Sequence, residues 1–238
     1  FIILSFIDMN TTNKSLNKFA IIAGVSLLLM AITAGFSFGY AHSQIVQPDD
    51  ANTTLQNLLN AKGLFQAEIL GWCLILILDV IVAWALYHFF KNVNKSISAL
   101  TAWVRIIYSI ILGMAIGQLM HILSLLKETN ETTAQVVMDH FQNFEYIWTL
   151  GLIAFGFHLI GLGYLALKSK LRFWGILLII AGISYSLVCT LKQFPSLESL
   201  AANLEMALSI PMTVGELGFA LWLIVKGAKQ KQIKSITT

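Results

Sequence analysis

The chain has 238 residues, 57% of them hydrophobic and only 11% charged, with three prolines and a mean hydropathy of +0.77. Soluble domains carry roughly 25% charged and about 45–50% apolar residues, so this balance excludes a disordered chain, a disulfide-stapled secreted scaffold and an ordinary soluble enzyme. The net charge of +3 is too mild and dispersed for a nucleic-acid footprint, and nucleic acid is not expected as a partner.

In chain order, residues 1–18 read as a polar cytoplasmic leader. Residues 1–8 precede Met9, a more conventional start, and read as upstream translation or a fragment edge. A bilayer core of about 30 Å needs about 20 apolar residues per helix. Six segments meet that: Phe19 to Tyr40, Gln66 to Phe90, Ile97 to Leu126, Asn143 to Lys168, Phe173 to Leu191 and Leu208 to Lys226. The first, at about 22 residues, exceeds the ~7–15 of a signal-peptide core, which favours an uncleaved span. The expected fold is all-α, a polytopic membrane bundle of six transmembrane helices in one domain, 19–226, followed by a basic tail, 227–238. Trp72, Trp103, Trp148, Trp174 and Trp222 lie toward span ends, as interface anchors do. Cys73 and Cys189 sit in apolar runs with no Cys/His cluster, so they read as buried thiols.

Cation placement orients the bundle. Lys14, Lys18, Lys91, Lys95, Lys168, Lys170, Arg172, Lys226, Lys229, Lys231 and Lys234 fall on one side, against Lys62, Lys127 and Lys192 on the other. By the positive-inside rule both termini face the cytoplasm. The short 2–3 and 4–5 turns predict antiparallel hairpins. Asp49 to Lys62, with Asp50 or Asn52 as caps, and Ser196 to Met206 have helical apolar spacing; each reads as a short helix on the outer surface or a polar loop.

The informative feature is the depth of polar residues. Asp79, Arg105, His158 and Glu216 each lie 9 to 11 residues from the cytoplasmic end of their span, about 13–17 Å deep and close to the midplane. Tyr185, flanked by Ser184 and Ser186, shares the level. A lone charge there costs about 2.5–3.5 kcal/mol on insertion scales. Folding the 2–3 hairpin about Val93 sets Asp79 within a turn of Arg105, which predicts an ion pair. Glu216 is a competing partner for Arg105, and His158 is placed to donate to either carboxylate. Tyr108, one turn above Arg105, reads as packing more than ligand contact. Pro211 predicts a kink five residues before Glu216.

The small-residue series Ala31, Gly35, Gly39, the pair Gly113 and Gly117, and Gly151, Gly156, Gly161 and Gly163 fit close helix approach within the chain or in an oligomer. Near the outer boundary, Glu68, Gln118, His121 and Glu145 reach similar heights, with Asp139 and His140 above. Glu68, His121 and Glu145 are weak metal-ligand candidates without a ligand motif, so no metal and no cofactor is expected. His42 and His88 read as interface residues. No catalytic motif occurs.

The run from Tyr164 through Lys168, Lys170, Arg172, Phe173, Trp174 and Gly175 to Gly182 resembles the span 4–5 hairpin of a bacterial membrane-protein family, domain of unknown function 4386. Glu216, Ala220, Trp222, Lys226 and Gly227 are similar to its closing helix, and Arg105 falls where its third span tends to have an arginine. The resemblance implies a six-span protein of the bacterial cytoplasmic membrane and no particular activity.

Three readings follow. In the first, the layer of Asp79, Arg105, His158, Glu216, Tyr108 and Tyr185 binds or translocates a small polar ligand, ion or proton. In the second, a structural, sensory or partner-binding protein uses that layer only to lock its bundle. The third is an intramembrane lipid hydrolase using His158 or His121 with carboxylates.

Overall fold

The computed structural model describes residues 2–127 and 132–226, with side chains from residue 17 onward. The expected basic tail, 227–238, lies outside the described residues, as do Glu128 and Glu131 of the 3–4 connection. The protein is 91% helical, without strands among the described residues. Helix α1 (Ile2–Ala34) runs without a break through a π-helical segment, Gly35–His42, into the short α2 (Ser43–Ile45). After a loop come α3 (Ala51–Asn60), α4 (Lys62–Phe90), α5 (Lys95–Leu125), α6 (Thr133–Lys168), α7 (Arg172–Leu191) and α8 (Glu198–Thr213). The last continues through a second π segment, Val214–Gly218, to residue 226.

Six helices are long and apolar enough to cross a membrane: Asn17–Ile45, Lys62–Phe90, Lys95–Leu125, Thr133–Lys168, Arg172–Leu191 and Pro195–Lys226. They are the first to sixth spans below. They alternate in direction, so the 2–3 and 4–5 turns lie at the end of the bundle where the spans begin and finish, here the terminal end. The connections 1–2, 3–4 and 5–6 lie at the distal end.

Local chemistry explains the turns. Asn94 caps α5 by accepting the Ile97 amide at 3.0 Å, and Ser98 Oγ donates back to the Tyr87 carbonyl at 3.0 Å, closing the 2–3 hairpin. At the 4–5 turn Lys170 takes φ 63°, and the Leu171 amide reaches the Ala166 carbonyl at 2.9 Å, which satisfies a carbonyl that α6 leaves open. Asp50 caps α3 through the Thr53 amide (2.9 Å) and hydroxyl (2.7 Å), and Thr54 and Leu58 anchor the helix inward.

Consecutive spans pack side by side, most extensively the third on the fourth and the fourth on the fifth. Glycine permits the closest contact. A Cβ on Gly156 would lie 2.6 Å from the Gly182 carbonyl oxygen, and one on Gly163 would lie 2.7 Å from that of Gly175. The ring closes where Gly24 of the first span meets the Ala220 backbone of the sixth, a Cβ there falling 2.6 Å from its carbonyl. Gly71 likewise meets Ser37 of the first span and Gly161 meets Thr101 of the third, whereas Gly35, Gly39 and Gly117 meet nothing within 4 Å.

Three expectations need correction. The fourth helix starts at Thr133, ten residues before Asn143, because hydropathy marks where the lipid ends and the helix continues beyond it. Ser196 to Met206 is not a separate surface helix; α8 runs straight into the sixth span. Trp72, 1% exposed, points into the bundle and so is no interface anchor, whereas Trp103, 66% exposed, faces outward as expected. Cys73 and Cys189 are free thiols, as expected, with Cys189 buried and Cys73 partly so.

Candidate functional site

Two polar clusters occupy the interior. The midplane one rises from the inward faces of three helices. On α4, Glu68, Trp72, Ile75 and Asp79 follow 4-3-4 spacing and are all buried. On α5, Thr101, Arg105, Tyr108 and Leu112 do the same, and on α6 Phe155 and His158 complete the layer.

Arg105 is held from three sides. Its Nη2 lies 2.6 Å from Asp79 Oδ1, with both side chains almost wholly buried, and its Nη1 lies 3.1 Å from His158 Nε2. Nη2 also approaches Met30 Sδ at 3.8 Å, and the guanidinium carbon stands 5.4 Å from the Phe155 ring centroid. The Thr101 carbonyl, 2.9 Å from His158 Nδ1, accepts only, so Nδ1 carries the hydrogen and Nε2 accepts from Arg105. His158 therefore donates to neither carboxylate, contrary to expectation; the backbone of the third span takes its proton. Neither Asp79 oxygen accepts a well-aligned hydrogen bond, and Arg105 Nε has no partner. The contact is one of charge more than of directed hydrogen bonding.

Beside this triad lies a cavity of about 130 Å³, with Trp72, Arg105, Tyr108, Trp148, Tyr185 and Glu216 among its walls. Aliphatic side chains such as Leu27 and Leu152 and the Phe155 ring supply the remainder. The indole N–H groups of Trp72 and Trp148 have no hydrogen-bond partner; the Tyr108 hydroxyl approaches that of Trp148 without closing one. Tyr108 thus lines the cavity in addition to packing.

Glu216 does not close an ion pair with Arg105, whose carboxylate partner is Asp79. Its carboxyl instead interacts with the Tyr185 hydroxyl on the far wall. It sits inside the π segment Val214–Gly218, which begins three residues beyond Pro211, so the disturbance expected from the proline takes the form of a widened turn. π segments recur at functional sites, and both of those here carry a cluster residue: Glu216 at the midplane and His42 distally.

The distal cluster centres on His42. Its Nδ1 lies 2.8 Å from Glu68 Oε1 and its Nε2 3.1 Å from Glu145 Oε1. Glu68 is wholly buried, with its other oxygen unpartnered, while the Glu145 side chain is 48% exposed. Carboxylate oxygens only accept, so two such contacts require a proton on each ring nitrogen or a protonated carboxyl. Phe38 stacks on the ring at 5.1 Å.

His42 is thus a buried hub and not an interface residue. The proposed set of Glu68, His121 and Glu145 does not converge, since His121 packs on His140 at 4.6 Å, itself 2.8 Å from Gln118. Among the described residues no group of three or more His, Cys, Asp or Glu is placed to hold a metal ion. The sequence already sets Glu68 and Glu145 at similar heights near the outer boundary; extending that count to the first span would have added His42. His88 is at the periphery, bonded to the Trp84 carbonyl at 3.0 Å.

The profile of the family described as "Domain of unknown function (DUF4386)" matches residues 22–227. The chain belongs to this family. A protein of Archaeoglobus fulgidus, described as uncharacterized, is 33% identical over 180 residues, covering 75% of this chain and 94% of its own. No solved structure matches. In this DUF4386 protein every wall of the chamber, from Leu27 to Leu217, falls inside the matched region, as do His42, Glu68 and Glu145.

Proposed function

We propose that this multi-pass protein resides in the bacterial cytoplasmic membrane with both termini inside, and that its midplane chamber binds a small polar ligand, ion or proton, with translocation as its natural use. The cation asymmetry supports the orientation. The observation that carries the binding reading is a chamber next to a locked arginine, lined by the unpartnered indole N–H of Trp72 and by that of Trp148, which the Tyr108 hydroxyl approaches without closing a hydrogen bond. Unpaired buried donors cost about 1–3 kcal/mol each, and an occupant that accepts from them removes that cost.

The second reading, a structural lock, is favoured for part of the layer alone. Asp79, Arg105 and His158 tie the second, third and fourth spans together and are almost wholly buried. Glu216 and Tyr185 stand outside that lock on the opposite wall. For the hydrolase reading, His158 meets Arg105 and the Thr101 carbonyl and His121 packs on His140.

Acetate is a suitable probe, being a small carboxylate acceptor. In nanodiscs, the ¹⁵N indole resonances of Trp72 and Trp148 are expected to shift saturably with acetate while those of Trp84 and Trp103 stay fixed. Uniform shifts, or none, would contradict a binding chamber.

A further inference from the structure

The size of the chamber limits what enters it. At about 130 Å³ it is a little smaller than the ~150 Å³ cavity that accepts benzene. It holds a head group of about six heavy atoms and nothing longer.

Its exits limit the route. Toward the distal end, aromatic rings cross the section: Trp72 stands 4.9 Å from Trp148 and 5.2 Å from Phe144, and Phe38 lies 4.9 Å from Trp148. Toward the terminal end the Asp79, Arg105 and His158 triad fills it. Walls on the second and third spans are buried; Met30, Ala31, Ala34 and Leu217 on the first and sixth remain partly exposed, as do Trp148, Leu152 and Tyr185 on the fourth and fifth, but there the Gly156–Gly182 and Gly163–Gly175 contacts hold the two helices together. Gly24 against Ala220 pins that seam at its terminal half. The distal half of the sixth span packs on the fifth, and the first touches the sixth at the Val214–Gly218 segment. The rims of the seam are exposed and apolar, with Ile32 at 70% and Ile210 at 73%, so they face acyl chains.

The hydrogen-bonding inventory limits the chemistry. Arg105, Tyr108, Tyr185, Trp72 and Trp148 bring donors to the chamber, and Glu216 is the one carboxyl among its walls.

Building on the chamber as a binding site, we infer that it is entered sideways from the bilayer between the first and sixth spans, and that it takes the carboxyl or ester carbonyl head of a long-chain lipid whose tail lies in that seam. The aromatic plug and the lock then close the aqueous ends, so acetate reaches the chamber as acetic acid dissolved in the bilayer, and long-chain molecules are favoured over aqueous solutes.

Photolabelling in nanodiscs tests this with palmitate carrying a diazirine in mid-chain. Saturable labelling of the first and sixth spans around Met30 and Leu217 is expected. Unlabelled palmitate competes if the head is a carboxylate, methyl palmitate if an ester carbonyl suffices, and hexadecanol competes poorly. Ala34→Trp, which fills the seam, lowers labelling by about tenfold or more; Leu217→Phe is a milder second block, and both are checked for a folded monodisperse peak. Even, unsaturable labelling of lipid-facing positions such as Ile77 and Ile110 overturns the inference, as does saturable labelling unchanged by either block. Acetate shifts at Trp72 and Trp148 without palmitate labelling end lateral entry and leave the binding chamber standing; loss of both ends both.

Discussion

The midplane and distal clusters share a plan and differ in consequence. Each sets a nitrogen cation or cation-capable ring against carboxylates contributed by other spans. At the midplane the centre is a guanidinium, always charged, with partners on neighbouring helices and almost no exposed surface. At the distal end the centre is an imidazole, one carboxylate is buried and the other is half in solvent. The first cannot shed its charge and so works as a lock. The second couples an ionisable ring to a half-exposed carboxylate, so its charge need not be fixed. The chamber lies between them, walled by Trp72 and Trp148 on the distal side and Arg105 on the other.

The largest expected effect tests the lock. Asp79→Leu leaves Arg105 buried and unpaired and should destabilise the fold by about 3–5 kcal/mol, whereas Asp79→Leu with Arg105→Leu should recover most of that loss. Chemical unfolding in mixed micelles measures both. Equal losses in the single and double variants would show that the pair is not what ties the second and third spans.

The distal cluster should respond less and unevenly. Glu68→Gln alters a wholly buried partner of His42 and should cost about 1–3 kcal/mol, while Glu145→Gln, on the half-exposed side, should cost below about 1 kcal/mol. Equal costs would remove the distinction between a buried and a half-exposed carboxylate.

The smallest effect lies outside the spans. The Thr53 amide and hydroxyl hold the Asp50 carboxyl below its ordinary value of 3.8. A depressed carboxyl stabilises above its unfolded pKa and loses that contribution as pH falls through the folded value. The α3 amides, followed by hydrogen exchange, should therefore open slightly more readily below about pH 4, and Asp50→Ala should abolish that dependence. This exposed cap should leave the midplane cluster untouched.

The sequence reaches unequally into these regions, for physical reasons. A charge in an apolar run is conspicuous, and the rise per residue converts position into depth, so Asp79, Arg105, His158 and Glu216 align on one level from the text alone. Depth says nothing of azimuth. That is why Glu216, at the right height, turns out to meet Tyr185 instead of Arg105, and why His158 bonds to the Thr101 backbone instead of a carboxylate. Hydropathy marks where lipid ends and not where a helix ends, which hid the first ten residues of α6 and the continuity of α8. His42 escaped notice because a histidine at a span end looks solvated until Glu68 and Glu145 are seen to converge on it. The cavity itself arises from shapes that no residue pattern encodes.

Arg105 and its partners support the bundle, whereas the donors on the opposite wall serve the chamber. Tyr185→Phe, which removes one such donor, separates the two most directly when unfolding and palmitate labelling are measured on the same nanodisc sample. The expected result is an unfolding midpoint close to that of the unmodified protein, with labelling near Met30 and Leu217 reduced by about tenfold. Labelling that stays unchanged, or that falls only in step with loss of the folded state, would contradict the account.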